Sequence, residues 1–434
     1  MKQKSRKMLG VWAATAFIVT SLAGCGAMKT EPAEQGGGNT PENISEADTA
    51  GEISMWGDYT GPDGELMTEM VEKYNALDNQ INLDFSIVPE TQMQEKIPIS
   101  IKTGTAPTMA IMMNTSMTAF LDAGQLRPVD DFFEATGRSK DEFVDGVLDA
   151  FMIDGHLYGL PQDMCTSRAM YWNKDLFEKA GLDPEKPPKT WEEVFEYAHK
   201  LEDKENGIYG LALPAVDIGS VTCFLRSYGG ELFDFEANEI TIDREENKKA
   251  LTLMQQEIFA PELTPKQVQD TQAGTLAGQY AIFFSGPWMP SGLEENGINF
   301  GVAEMPKGSV TNGKTIEGGL YLIFDGTPEE EVRAAYDYIS YTYEDENRVA
   351  WSTGTGFPPF IKSVLEDEDV AGNEVLTVFS NMEGGKILYP FLSYTGELEN
   401  SVLKPMMERI ENGDDVETVL KEAQAQAEQI ASTD

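Results

Sequence analysis

Residues 52–57 read EISMWG, 63–77 DGELMTEMVEKYNAL, 81–89 INLDFSIVP and 109–114 MAIMMN. The first and third alternate apolar and polar residues, as a half-buried strand does, and the fourth is a short apolar run of the fully buried kind. Between the first two strands, Leu66, Met70, Val71 and Tyr74 fall three or four residues apart and make one face of a helix. A strand, a helix, a strand and another strand in this order specify an α/β lobe.

From Gly51 onward strands and helices keep alternating over more than 380 residues. That span exceeds a single core and predicts at least two lobes. Capping boxes are written at Ser139–Glu142, Thr190–Glu193, Thr264–Gln267 and Thr327–Glu330, with Pro265 and Pro328 at the favoured first helical position. Val194, Phe195, Ala198 and Leu201 form a core stripe after Thr190, and Val332, Ala335, Tyr336 and Ile339 form one after Thr327. Trp191, Trp172 and Trp351 are assigned to packing. From Glu397 to the end, two covering helices flank the segment ENGDD.

The amino end reads MKQKSRKMLGVWAATAFIVTSLAGCG. Four cations, Lys2, Lys4, Arg6 and Lys7, precede an apolar stretch from Leu9 to Gly24, shorter than the roughly 20 residues of a spanning helix. The expectation is a signal peptide over 1–24. Leu22, Ala23, Gly24 and Cys25 resemble the bacterial lipobox, which implies lipidation at Cys25 and attachment to the outer face of the cell membrane. Residues 25–50 hold almost nothing large and apolar, so they cannot offset their ordering entropy and read as a flexible leash.

The chain carries 74 acids against 32 bases. Removing the leader takes four bases and no acids, which leaves 28 against 74, or −46. Such a field repels polyanions, so nucleic acid, nucleotides and sugar phosphates are disfavoured as partners. Yet Gly308–Thr315, GSVTNGKT, satisfies the phosphate-loop pattern G-x-x-x-x-G-K-[ST]. That motif needs a helix leaving the loop, and here TIEGGLYLIF follows, two glycines and a run of β-formers. A loop between two strands is the simpler reading. Beyond Cys25 there are two cysteines, Cys165 and Cys223, and two histidines, His156 and His199. No metal cluster, cofactor motif or Ser/His/Asp set emerges, and the spacing leaves open whether the two thiols pair.

A family enters at residues 159–194, GLPQDMCTSRAMYWNKDLFEKAGLDPEKPPKTWEEV. This stretch resembles the extracellular solute-binding proteins of bacterial ABC importers, family 1, in which a Leu-Pro crossing leads to a Tyr-Asn-Lys-Asp-Leu-Phe strand and helix and then Thr-Trp-Glu-Glu. MWGD at 55–58, TGTAPTM at 103–109, LAGQYAIFFSGPW at 276–288 and GGLYLI at 318–323 match further pieces in the same order. Two departures stand out: Pro107 is followed by Thr108 where the family has Asp, and Tyr171 is followed by Trp172.

The resemblance implies a type II periplasmic-binding-protein fold: two α/β lobes, a three-crossing hinge and a ligand cleft between them. The implied lobes are 51–162 with 304–352 and 163–303 with 353–434, crossing near 159–165, 304–319 and 352–360. It implies a receptor for a carbohydrate, an oligosaccharide, handing its load to ABC permease subunits as a monomer without a cofactor. A polyamine or other cation stays open as the ligand, because of the acids. Sugar C–H faces suit aromatic planes and hydroxyl rims suit carboxylates and amides. Residues just past strand ends on the cleft side are therefore the candidates. They are Trp56, Asp58, Tyr59, Glu90, Asn114 and Asp163 from the first half, and Trp288, Gly319, Tyr321, Phe357 and Tyr394 from the second. An exported glycoside hydrolase would need two carboxylates facing one bond; Asp58, Glu90 and Asp163 supply them by count, with no signature marking a pair.

Overall fold

Alternation in EISMWG turns Ile53 and Met55 inward on β1 (Gly51–Gly57), which pairs in parallel with β2 (Ile81–Ile87) and β3 (Met109–Met113). In the computed structural model, residues 51–432 are described apart from 60–61, 78, 154, 236–238, 270, 390–391 and 393. The leader, Cys25 and the 25–50 leash lie outside the described residues. The Pro62–Asn75 helix connects β1 to β2 and buries Met67, Met70, Val71 and Tyr74, with Leu66 at the margin of the same core.

Following the chain, β4 (Leu160–Pro161) leads to β5 (Cys165–Thr166), and then β6 (Ala169–Asn173), β7 (Tyr209–Ala212), β8 (Tyr280–Ser285) and β9 (Phe300–Ala303) build a second sheet. The return path is β10 (Thr315–Glu317) and β11 (Gly319–Ile323), and β12 (Lys386–Ile387) follows much later. The first sheet has the order β2-β1-β3-β11-β4, with β11 antiparallel to both neighbours. The second has the order β9-β6-β8-β7, with β6 antiparallel to β8 and β9. Each sheet carries its own apolar core.

A small third sheet, β12-β10-β5, joins the three connecting segments. Its strands are two or three residues long, so the connection between the lobes rests on few ladder bonds and suits a hinge. The third crossing differs from expectation. Phe360, Ile361, Val364, Val370 and Leu376 belong to the first lobe's core, and the Phe360 carbonyl accepts the Val144 amide at 2.9 Å. Residues 353–371, expected in the second lobe, therefore pack with the first, and the chain passes over at the Glu374–Ser380 helix, which packs on β9 and puts Phe379 among Tyr171, Phe283 and Val302 of the second lobe. The segment FPPF reads as a loop from sequence, and only the aromatic pocket of Phe143 and Tyr343 around Phe360 shows which lobe keeps it.

Helix starts agree in two places of four. Ser139 forms a full capping box on a one-turn helix, and Thr190 accepts the Glu193 amide at 3.3 Å. Thr264 instead bonds Leu213 N and Leu211 O, and no helix follows it. Thr327 turns its hydroxyl back to the Phe324 carbonyl, which places Pro328 at the cap and Glu329 first in the helix. In both cases a nearby backbone partner competes for the hydroxyl. Trp191 and Trp172 are buried as packing residues.

The phosphate-loop look-alike runs into β10, not into a helix. Its amides at Val310 and Thr311 donate to the Ser227 carbonyl at 3.0 and 3.2 Å. Lys314 is 8% exposed and is held by Glu304 at 3.2 Å and the Asn381 carbonyl at 3.0 Å. Amides and lysine are both occupied, so nothing cradles a phosphate.

An interlobe cleft as the candidate functional site

The parallel strands β1 and β2 end at the lobe boundary, and residues beyond them, with Ile111, Met112 and Met113 of β3, line a cavity of about 320 Å³. Asp58, Tyr59 and Glu90 come from the first lobe, Trp288 follows β8 of the second, and Phe357 follows the Asp345–Thr355 helix. Gly318 and Gly319 form the floor where β10 hands over to β11. A side chain at Gly318 would strike the Asp163 carbonyl at 1.9 Å, so only glycine lets the second crossing pass the first this closely.

Asp163, 4% exposed, accepts the Tyr59 hydroxyl at 2.7 Å and the Trp351 indole at 2.6 Å. Burial raises its carboxyl above the usual range, against the opposing charge of Arg348 and these two donors. Arg348 is itself buried, donates to the Gln162 carbonyl at 2.7 Å and lies 4.8 Å from the centre of the Phe360 ring. Glu90 accepts the Met113 amide at 3.3 Å and the Ser116 hydroxyl, while Asp58 accepts the Glu90 amide at 2.9 Å. Burial raises Glu90 as well. Glu317, on β10, faces Arg168 at 3.5 Å, and burial outweighs that cation and raises its carboxyl too.

Trp288 is 45% exposed, an unusual state for the largest apolar side chain, and its ring stands 6.5 Å from Phe357. The Gly286 Cα faces the indole so closely that an added methyl would lie 2.1 Å from it.

Of the sequence candidates, Asp58, Tyr59, Glu90, Asp163, Trp288, Gly319 and Phe357 line this cavity together. Four do not. Trp56 packs against the first core. Asn114 is buried and clamps the hinge, exchanging bonds with the Gly318 amide and carbonyl at 3.3 and 2.9 Å. Tyr321 is fully buried because its place in β11 points into the core. Tyr394 packs on the second core beside Thr395, which lines a neighbouring cavity. Sequence reasoning missed Asp63, Cys165 and Glu317. Glu317 had a signal in its place before two glycines at the second crossing, whereas nothing local marks Asp63. Cys165 and Cys223 are both unbonded; Cys223 contacts the Thr315 hydroxyl at 3.3 Å. Thr108, where the family has Asp, bonds Glu331 at 2.8 Å and the Ser54 amide at 3.1 Å, away from the cleft lining.

Two further cavities adjoin the first. One, of about 480 Å³, lies between the Asn114–Asp122 helix and Tyr389, Leu392 and Thr395. The other, of about 260 Å³, is bordered by Arg168, Asp217, Thr275 and Trp288. Among the described residues no group of acidic, histidine and cysteine side chains could hold a metal, and no helix is long and apolar enough to cross a membrane.

Comparison with known proteins agrees with the two-lobe fold. The maltotriose-binding protein of Pyrococcus abyssi (strain GE5 / Orsay) is 24% identical over 383 residues, covering 86% of this chain and 81% of its own. Among solved structures, the cyclic alpha-maltosyl-1,6-maltose binding protein from Arthrobacter globiformis superposes with a TM-score of 0.74 at 24% identity, over 87% of this chain and 98% of its own. UgpB from Mycobacterium tuberculosis, in complex with glycerophosphocholine, gives 0.77 at 19% identity, over 88% and 99%. These likenesses establish the two-lobe binding-protein fold. The family model for bacterial extracellular solute-binding protein matches residues 69–377. Members bind solutes and do not turn them over, which removes the hydrolase reading of the cleft acids. The chain belongs to the bacterial extracellular solute-binding protein family.

Proposed function

We propose that this protein is a lipid-anchored receptor that closes its lobes on a carbohydrate, an oligosaccharide, and delivers it to an ABC importer permease as a monomer. The observation that carries the reading is the half-exposed indole of Trp288, facing hydrogen-bonded acids across a cavity at the lobe boundary. An aromatic plane covers a sugar's C–H face, and oriented carboxylates accept from its hydroxyls. Each bond from a hydroxyl to a charged acceptor contributes roughly 1.5–3 kcal/mol, so a handful suffices for micromolar affinity near −8 kcal/mol. Relatives named for maltotriose and for a cyclic maltosyl-maltose support the same class.

A cationic solute such as a polyamine is the second reading. The central cavity is lined by Asp58, Asp63, Glu90, Asp163 and Glu317 and, among the described residues, by no lysine or arginine, which favours it and disfavours a phosphate ester. A thermal-shift series with oligosaccharides, spermidine and glycerophosphocholine separates these classes. Saturating ligand at 100 times its dissociation constant adds about 2.7 kcal/mol of stability. Stabilisation by sugars is expected; stabilisation by spermidine alone transfers the conclusion to the cation. Lipid attachment is tested by mass spectrometry of the mature chain and of a Cys25→Ala variant.

A further inference from the structure

Three consecutive residues of the first crossing are each held by a side chain from one stretch, 343–351. The Tyr343 hydroxyl donates to the Pro161 carbonyl at 2.5 Å, Arg348 donates to the Gln162 carbonyl at 2.7 Å, and the Trp351 indole donates to the Asp163 carboxylate at 2.6 Å. From β11, the Gly319 carbonyl accepts the amides of Gln162 and Asp163 at 2.9 and 3.2 Å. The crossing is thus fixed to the first lobe as far as Asp163, where it reaches the interlobe cavity.

Arg348 differs from the other two holders because it carries charge. It is 1% exposed and stands behind the cavity lining, 4.8 Å from the Phe360 ring centre and 6.0 Å from that of Trp351. Its bond goes to a carbonyl, and it reaches Asp163 through its charge, which opposes the burial that raises that carboxyl. An ionised carboxylate has about four acceptor positions. Tyr59 takes one on one oxygen and Trp351 takes one on the other. A cation bonded directly would occupy more of them; Arg348, bonded one residue back, supports the charge and leaves acceptor positions for the cavity. The Nε of Arg348, both polar atoms of Gln162 and the Ser352 hydroxyl are also buried without a protein partner among the described residues. Unpaired buried polar atoms cost stability, so stability alone does not account for a cation in this place.

Resting on the solute-binding role proposed above for the cavity, we propose that Arg348 is a positioning residue for binding. Without touching the ligand, it fixes the first crossing and holds Asp163 as an anion whose remaining acceptor positions face the cavity.

The titratable and charged groups facing Asp163 are Tyr59 after β1, Asp63 on the Pro62–Asn75 helix, Cys165 on β5, Tyr321 on β11 and Arg348. Burial raises Tyr59, Cys165 and Tyr321, so all three keep their protons in acid and at neutrality. Loss of the Arg348 charge raises the folded Asp163 carboxyl further above its unfolded value near 3.9. Stability of the protonated form is complete below that value and is lost as pH rises. The urea midpoint of Arg348→Met is therefore expected to fall progressively behind that of the wild-type mature chain from about pH 4 to about pH 7. Asp163→Asn in the same chain is expected to abolish this slope. Tyr343→Phe, which removes a neutral holder, is expected to give a loss that does not vary with pH. Should Arg348→Met not fold near neutrality, the double variant is expected to fold there. Maltotriose and spermidine are then titrated calorimetrically at a pH where wild type and Arg348→Met are both folded. Affinity for the probe that binds the wild type is expected to fall about tenfold in Arg348→Met. A deficit that does not vary with pH, a slope or a folding failure that survives Asp163→Asn, or an unchanged affinity overturns the assignment and leaves the solute-binding reading intact. A wild type that binds neither probe overturns both.

Discussion

The indole nitrogen of Trp351 donates to Asp163 across 2.6 Å, so a tryptophan of the packing core fixes an acid that lines the interlobe cavity. The Tyr59 hydroxyl holds the other oxygen at 2.7 Å, and its ring meets Trp351 edge-on at 5.5 Å. A buried carboxylate stripped of one donor bears its desolvation unrelieved. Trp351→Phe is therefore expected to lower the unfolding free energy by about 2 kcal/mol or more, with a smaller loss for Tyr59→Phe. Urea titration checks this, and a Trp351→Phe variant as stable as the wild type contradicts it.

Trp288 behaves in the opposite way. Its half-exposed ring supports little core, so Trp288→Ala is expected to change stability by about 0.5 kcal/mol or less while weakening ligand binding about tenfold, near 1.4 kcal/mol. Gly286→Ala offers an independent check. Its methyl would lie 2.1 Å from the ring and must displace it, so affinity falls although the indole is still present. Full affinity in both variants removes Trp288 from the site.

The Glu317 carboxyl is raised by burial, so the folded chain keeps that proton to higher pH than the unfolded chain, whose value is near 4.3. Stability from the protonated form is complete below the unfolded value and is lost as pH rises through the folded one. Glu317→Gln copies the protonated acid. The variant is expected to gain stability relative to the wild type as pH rises from about 4 to about 7, read from urea midpoints at several pH values. A difference that stays flat, or shrinks with rising pH, goes against the burial argument.

Gly313 sits at φ +67°, and a Cβ there would lie 1.9 Å from the Cys223 carbonyl. Gly313→Ala is expected to cost about 1–3 kcal/mol or more, since strain and collision act together. Magnesium nucleotide is expected to leave the melting temperature of the wild type unmoved. A nucleotide-dependent rise would restore the phosphate-loop interpretation of Gly308–Thr315.

Legibility followed the range of the forces involved. The strands at 52–57, 81–89 and 109–114 and the helix at 63–77 were readable because their period states which face is buried. Thr264 and Thr327 misled because a capping hydroxyl is a local signal, and the competing carbonyls of Leu211 and Phe324 are set by how the chain turns. Asp58, Tyr59, Glu90, Asp163 and Trp288 line one cavity because the segments that carry them end or cross at the lobe boundary. Tyr321 was misplaced, since one residue's step along β11 reverses the face of the sheet.

The linear order of residues determined the alternation of strands and helices and the strong negative charge, both of which are written in neighbouring side chains. Tertiary structure alone decided that residues 353–371 stay with the first lobe, that Trp351 grips Asp163 and that Glu317 meets Arg168. Those pairings join residues far apart in the chain through burial and charge at a few ångströms. No local pattern encodes such distances; they exist only once both cores have packed.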